Sequence, residues 1–291
     1  MDIGAGHLYA FGAGLSFAVS DVMTRVASRG YKSEFLVLLS LLVGTPYLWL
    51  SSVAVGESFP GLRDALLFLA LGPLHFGLAR LLFYKAIAGL GASSAAITTS
   101  PTIILSSLLA WVILGEALTP GDLAGAVMVA VAVFIAGYRP SGASLQGVRP
   151  VVGLAAGLGA SLVFSISSVV VRYAGSSSQA PIMGSALSYT AALPVAALIT
   201  WRSGFRGSTG DRRLLVVAVA SGIVVSTAQL LRYTALSLVP VVEALILISL
   251  FPLHTLAIAS LVGSHGEERI KLVHVPAAIL AISGIALNLI Y

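Results

Sequence analysis

Hydroxyl side chains recur at helical spacing in three stretches of this chain. Gly12, Ser16, Ser20 and Thr24 form one series; Ser94, Thr98, Thr102 and Ser106 a second; Ser161, Ser165, Ser168 and Arg172 a third. Residues three or four apart share one face of a helix, so each series is a polar stripe. Two readings are open for such stripes. Small and hydroxyl residues let helices approach closely and bond across the contact, or they line a cavity for a zwitterion or polar metabolite. Hydroxyl-rich, weakly charged walls suit a solute that has to be released as well as bound.

Ionisable residues and prolines inside apolar runs add to these candidates. His75 stands in LGPLHFGLAR, two residues after Pro73. An ionisable group in such a run is a functional candidate; its structural alternative is a neutral imidazole bonded to a neighbouring helix. His254 has few polar neighbours and reads as structural. Asp21 could relay protons or pair with Arg25 one turn later, and the pair is the preferred reading. Thr98 and Thr99 precede Ser100-Pro101, and Pro101 and Pro252 each remove a backbone hydrogen bond in mid-run, which nominates both as hinges. His7, His75, His254, His265 and His274 have no metal-ligand spacing. No metal, cofactor or enzymatic constellation is expected.

The elements that position these residues follow from composition. Over 291 residues the chain is 58% hydrophobic and 9% charged, with mean hydropathy +1.01; soluble domains carry roughly 25% charged residues. Apolar segments of about 20 residues cross a bilayer as helices. The alternative, a closed barrel, needs a period-two alternation that is absent. The fold is therefore expected to be all-α and polytopic, with the lipid bilayer as its surroundings. The chain has no cysteine, which excludes disulfides and thiolate chemistry, and its net charge of +5 is spread over short segments. A nucleic-acid partner would require a clustered basic face. Met1–Ala27 contains Asp2 and no basic leader, so it reads as a first span.

Apolar windows bounded by charges, Gly and Pro predict ten spans, near 7–27, 34–54, 63–87, 92–113, 121–138, 150–172, 181–201, 213–236, 241–263 and 272–290. One module recurs within them. Tyr84, Pro101 and Gly115-Glu116 are matched by Tyr233, Pro252 and Gly266-Glu267, at offsets of 233 − 84 = 149, 252 − 101 = 151 and 266 − 115 = 151. The opening spans align at an offset of 147, pairing Phe17 with Phe164, Ser20 with Ser167 and Arg25 with Arg172. The polar Tyr138–Pro150 stretch divides two sets of five spans. An odd number of spans per copy inserts the second copy upside down, and inverted repeats place solute sites near midplane at their interface.

Charge bias orients the molecule. Thirteen of the 16 basic residues fall after odd-numbered spans, leaving Arg63, Arg172 and Arg232 on the other side. By the positive-inside rule both termini lie outside the cytoplasm. Arg80 aligns with Gln229, and Phe83 with Arg232, which suggests opposite mouths of a pathway. Arg80 and Lys85 would attract a carboxylate at one, and Arg232 would pair with Glu243 at the other. As helix-end markers, Lys85 and Arg232 would instead snorkel, and Tyr84 and Tyr233 would be interfacial belt residues.

These repeated motifs resemble the EamA domain of the drug/metabolite transporter superfamily, over nearly the whole chain. The resemblance implies repeats at 1–138 and 151–291 joined by a linker at 139–150. It also implies a central cavity walled by the first, third, fourth, sixth, eighth and ninth spans. It points to the ten-helix amino-acid exporter branch, aromatic amino-acid exporters included, and to a small-molecule solute moved by alternating access in a bacterial inner membrane. The expected solute-binding residues are Ser16, Ser20, His75, Arg80, Tyr84, Thr98, Thr99, Ser165, Ser168, Gln229 and Tyr233. Family members usually have a cytoplasmic N-terminus, from which the charges of this sequence depart. The first helix is also distantly similar to that of small multidrug transporters, where a carboxylate couples proton to cation; Phe17 occupies that place here, which favours facilitated transport over the alternative, a proton-coupled antiporter. The oligomeric state is not implied.

Overall fold

The computed structural model of the protein describes residues 4–137, 148–203, 211–261 and 274–290. The predicted Gly266-Glu267 pair, His265, the basic residues Arg139, Arg206, Arg269 and Lys271, and linker residues 138–147 lie outside them. The described residues are helical, with no strand. We number the spans α1 (Ala5–Ala27), α2 (Ser33–Val55), α3 (Leu62–Leu90), α4 in two halves (α4a, Ala92–Ile97; α4b, Pro101–Leu114) and α5 (Pro120–Gly137). The second set is α6 (Pro150–Ser178), α7 (Pro181–Ser203), α8 (Arg212–Leu238), α9 in two halves (α9a, Val241–Ile248; α9b, Phe251–Leu261) and α10 (His274–Ile290). Each expected span has its helix. Five of them, α2, α3, α6, α7 and α8, are long and apolar enough to cross a bilayer individually.

Lipid dictates how these helices turn. Large apolar side chains such as Leu50, Trp111, Phe134, Leu162 and Trp201 point outward, while Ser20, Ser168, Ser188 and Ser226 are completely buried. This inverts the order of a soluble protein, because hydrocarbon cannot hydrogen-bond a hydroxyl. Pro101 and Pro252, near the starts of α4b and α9b, lack the N–H that would continue the preceding half-helix. In α3, the segment Gly72–Ala79 around Pro73 is a π-helical widening, the local adjustment by which a spanning helix absorbs a proline.

The inverted repeat is visible in the packing. α1 lies along α8 and touches both halves of α9; reciprocally, α6 lies along α3 and touches both halves of α4. α2 pairs with α7, and α5 with α10, across the same pseudo-twofold relation. The main apolar core gathers around Phe68, Phe76, Tyr189 and Tyr233, and two smaller clusters sit beside α5 and α10. Two glycines allow close approach at the helix breaks. A Cβ on Gly14 would lie 2.8 Å from the Ile248 carbonyl at the α9 break, and one on Gly157 would collide with Thr98 at the α4 break.

Arg25 and Arg172, predicted to be equivalent, do equivalent work. Arg25 Nη1 donates to the carbonyls of Ile87 (2.9 Å) and Ala88 (3.1 Å), near the end of α3. Arg172 Nη1 donates to those of Leu236 (3.2 Å) and Ser237 (3.1 Å), near the end of α8. The acceptors are offset by 236 − 87 = 149 and 237 − 88 = 149, the module's own spacing. Each cation satisfies carbonyls that a helix end leaves unpaired.

Candidate functional site

A central cavity opens between the two repeats and encloses about 730 Å³, counting the space at its mouth. Its walls come from α1, α3, α4, α6, α8 and α9, the six spans expected from the resemblance. Spacing explains most of the lining. Arg80, Phe83 and Tyr84 occupy one face of α3 at i, i+3 and i+4, and Val225, Gln229 and Arg232 one face of α8 at i, i+4 and i+7. Phe17 and Phe164, equivalent in the repeat, face the cavity from α1 and α6. The helix breaks contribute Thr99 and Thr102 on one side and Ser249 and Phe251 on the other.

Of the eleven candidate binding residues, His75, Arg80, Tyr84, Thr99, Ser168 and Gln229 line this cavity. The other five lie outside its lining. Ser20 Oγ is 3.2 Å from Ser221 Oγ, a contact that ties α1 to α8. Ser165 donates to the Ser161 carbonyl at 2.8 Å, and Thr98 to the Ala95 carbonyl at 2.6 Å. Tyr233 is buried among Phe68 and Phe76 and donates to Ser188 Oγ at 3.3 Å. Ser16 is half-buried on α1. A stripe supplies a polar face, but here one part of that face meets a neighbouring helix and another meets the cavity. Each contact bond between helices contributes about 0.6 kcal/mol on average.

The charged side chains depart from their expected places. Arg80 and Arg232 face one cavity rather than two mouths, because both lie well inside α3 and α8 and not at their ends. Arg80 is ten residues, about 15 Å, from the α3 terminus at Leu90. Glu243 pairs with His7, Nε2 to Oε2 at 3.0 Å, and not with Arg232. Lys85 sits 3.3 Å from Glu34, away from the cavity. Asp21, expected to pair with Arg25, lines the cavity instead, and its buried Oδ2 has no hydrogen-bond partner among the described residues. His254 packs edge-on against Phe11 at 5.2 Å, outside the lining.

Arg80 is the most firmly held of the cavity groups. Its Nη2 donates to Tyr189 Oη at 2.7 Å and its Nη1 to Ser40 Oγ at 3.2 Å, with Cζ 4.7 Å from the Phe76 ring centre and 4.8 Å from that of Tyr189. Arg232 donates from Nη2 to Ser168 Oγ at 2.8 Å, while its Nη1 is without a partner among the described residues. His75 Nδ1 and Gln229 Oε1 are likewise buried and unpartnered there. His75 lies within the π-helical segment, its ring 4.4 Å from Phe76 and 4.8 Å from Phe164. Buried polar atoms are normally bonded, so their concentration in one cavity marks a place built to meet something polar. Arg232 and Asp21 were legible as lining residues only through their spacing from Gln229 and Phe17.

Comparison with known proteins agrees with this architecture. A crystal structure of another protein, one of 29 matching chains, superposes with a TM-score of 0.79 and 17% sequence identity, covering 99% of each chain. At that identity the likeness concerns the fold alone. No curated protein gives a significant match. The model of the EamA-like transporter family matches residues 4–138 and again 151–290. With both copies of its module accounted for, the chain is a multi-pass membrane protein that belongs to the EamA-like transporter family.

Proposed function

We propose that the protein exports amino acids or similar small metabolites by facilitated alternating access, the repeats at 1–138 and 151–291 rocking about the central cavity. The observation that carries this reading is the cavity itself. It lies between inverted repeats, is bordered by both helix breaks, and gathers His75, Arg80, Tyr84, Thr99, Ser168 and Gln229 on its walls. Broken helices supply backbone groups and movable joints at such a site, and Pro101 and Pro252 are the hinges in this reading. The aromatic lining is compatible with the aromatic amino-acid exporter branch. The family resemblance supports a bacterial inner membrane, and the loop charges support both termini outside the cytoplasm.

Counterflow in proteoliposomes preloaded with an amino-acid panel tests the proposal. Labelled amino acid should accumulate without an imposed proton gradient, and His75→Ala should reduce that flux. Equal uptake by protein-free liposomes would exclude it. A second reading, proton-coupled antiport of a drug or metabolite, is favoured by Asp21, whose unpartnered carboxylate oxygen reaches the cavity. Flux that requires a pH gradient and is lost in Asp21→Asn would select that reading.

A further inference from the structure

Two buried guanidiniums face the cavity, and they are satisfied differently. Arg80 is fixed by Ser40 and Tyr189 and stacked on two rings. Arg232, 5% exposed, has its Cζ 5.8 Å from the centre of the Tyr233 ring and donates through one arm to Ser168, and its Nη1 has no hydrogen-bond partner among the described residues. The ion pairs found among those residues are His7–Glu243, Lys85–Glu34 and Arg172–Glu116, and they include neither guanidinium. A buried charge without a counter-charge is costly in a membrane interior.

The remaining charge in the cavity does not cancel them. Its lining holds two guanidiniums and the single carboxyl of Asp21, an excess of one positive charge. Protonating Asp21 or His75 only enlarges it. The helix breaks add little net sign, since the N-terminal ends of α4b and α9b meet the cavity together with the C-terminal end of α9a. The uncharged part of the wall combines the rings of Phe17, Phe83, Phe164 and Phe251 with the hydroxyls of Thr99, Thr102 and Ser249. Gln229, one turn before Arg232 on the same face, presents an unpartnered Oε1.

Resting on the reading of this cavity as the solute site, we infer that it selects a carboxylate on an apolar, ring-sized body, with Arg232 Nη1 donating to the carboxylate. Ser168 holds one arm of the guanidinium so that the other points at the solute. The phenylalanine surfaces take the body. Gln229 Oε1 accepts from an ammonium or hydroxyl group next to the carboxylate, when the solute has one.

The test is direct binding to the full chain in nanodiscs, using labelled 3-phenylpropanoate displaced by itself, 3-phenylpropanamide, phenethylamine and phenylalanine. A charge-assisted bond predicts that the acid binds about ten- to hundredfold more tightly than its amide. Arg232→Gln should remove that preference and Arg232→Lys should retain part of it. An amide or amine that competes as well as the acid overturns the inference, as does failure of the acid to bind at millimolar concentration or a folded Arg232→Gln with unchanged preference. If that variant does not fold, the acid-against-amide comparison on the unaltered protein decides. Phenylalanine competing with the acid identifies amino acids as the solute, and its failure to compete identifies acids lacking the amino group; both support carboxylate recognition. Counterflow separates this inference from the transport reading. An acid that binds without exchanging leaves the site and removes the carrier, whereas exchange of the amine alone does the opposite.

Discussion

Glu116 joins four parts of the molecule through two bonds, which makes its removal informative. Gly115 ends α4b in a left-handed conformation, φ 69°, that turns the chain and presents the next residue inward. The Glu116 carboxylate then accepts from Arg172 Nε at 2.7 Å and from the Val241 backbone N–H at 2.9 Å. Arg172 in turn holds the α8 carbonyls, so one carboxylate ties the α4–α5 corner to α6, α8 and the start of α9. Hydrogen bonds to charged groups contribute about 1.5–3 kcal/mol each. With the two side chains 21% and 15% exposed, water replaces part of that, and Glu116→Ala should cost about 2 kcal/mol in total. If this contact closes one face of the cavity, states open at that face gain about 30-fold in population. The absence of cysteine makes this measurable. A single Ser249→Cys in the cavity wall, exposed to impermeant maleimide at the Glu116 face, should react about 30-fold faster in the Glu116→Ala background. Glu116→Gln, which keeps one acceptor, should fall between. An unchanged rate in a folded protein would refute the closing role of this contact.

The repeat relation predicts the mirror result for Arg25→Met, whose loss frees the α3 carbonyls: maleimide should reach the same cysteine faster from the opposite face, and an effect confined to the Glu116 face would break the proposed equivalence. Gly157→Ala forces the α4 break away from α6 and should cost about 1–3 kcal/mol, read as a lower unfolding temperature in detergent. Gly12→Ala is its control, because the added Cβ meets only Leu231 Cδ1 at 3.4 Å and should be neutral or gain up to about 1 kcal/mol of helix propensity. Tyr189→Phe removes the acceptor of the 2.7 Å bond from Arg80 and should destabilise by about 1.5–3 kcal/mol; thermal stability equal to that of the unaltered protein would show that Arg80 finds another partner.

What the sequence determined by itself was the layer of structure that lipid enforces. Unpaired backbone groups are intolerable in hydrocarbon, so apolar runs near 20 residues had to be helices, and their ends could be read to within a few residues. The duplicated Tyr, Pro and Gly-Glu positions revealed the repeat, and an odd span count then made it inverted. What only the tertiary structure decided was the rotation and depth of each helix. Ser20 and Ser168 lie on similar stripes and both bond α8, yet Ser20 meets Ser221 at a helix contact and Ser168 meets Arg232 at the cavity wall, because close approaches such as that of Gly14 to Ile248 fix which part of a stripe is covered. Tyr84 and Tyr233 are equivalent in the repeat and both pack in the main core, yet Tyr84 borders the cavity and Tyr233 does not. Arg80 and Arg232 line one cavity because each lies well inside its helix, on the face that the opposite repeat packs against. Spacing along a chain sets which residues share a helix face; the partner that each face meets is set by packing between helices far apart in sequence.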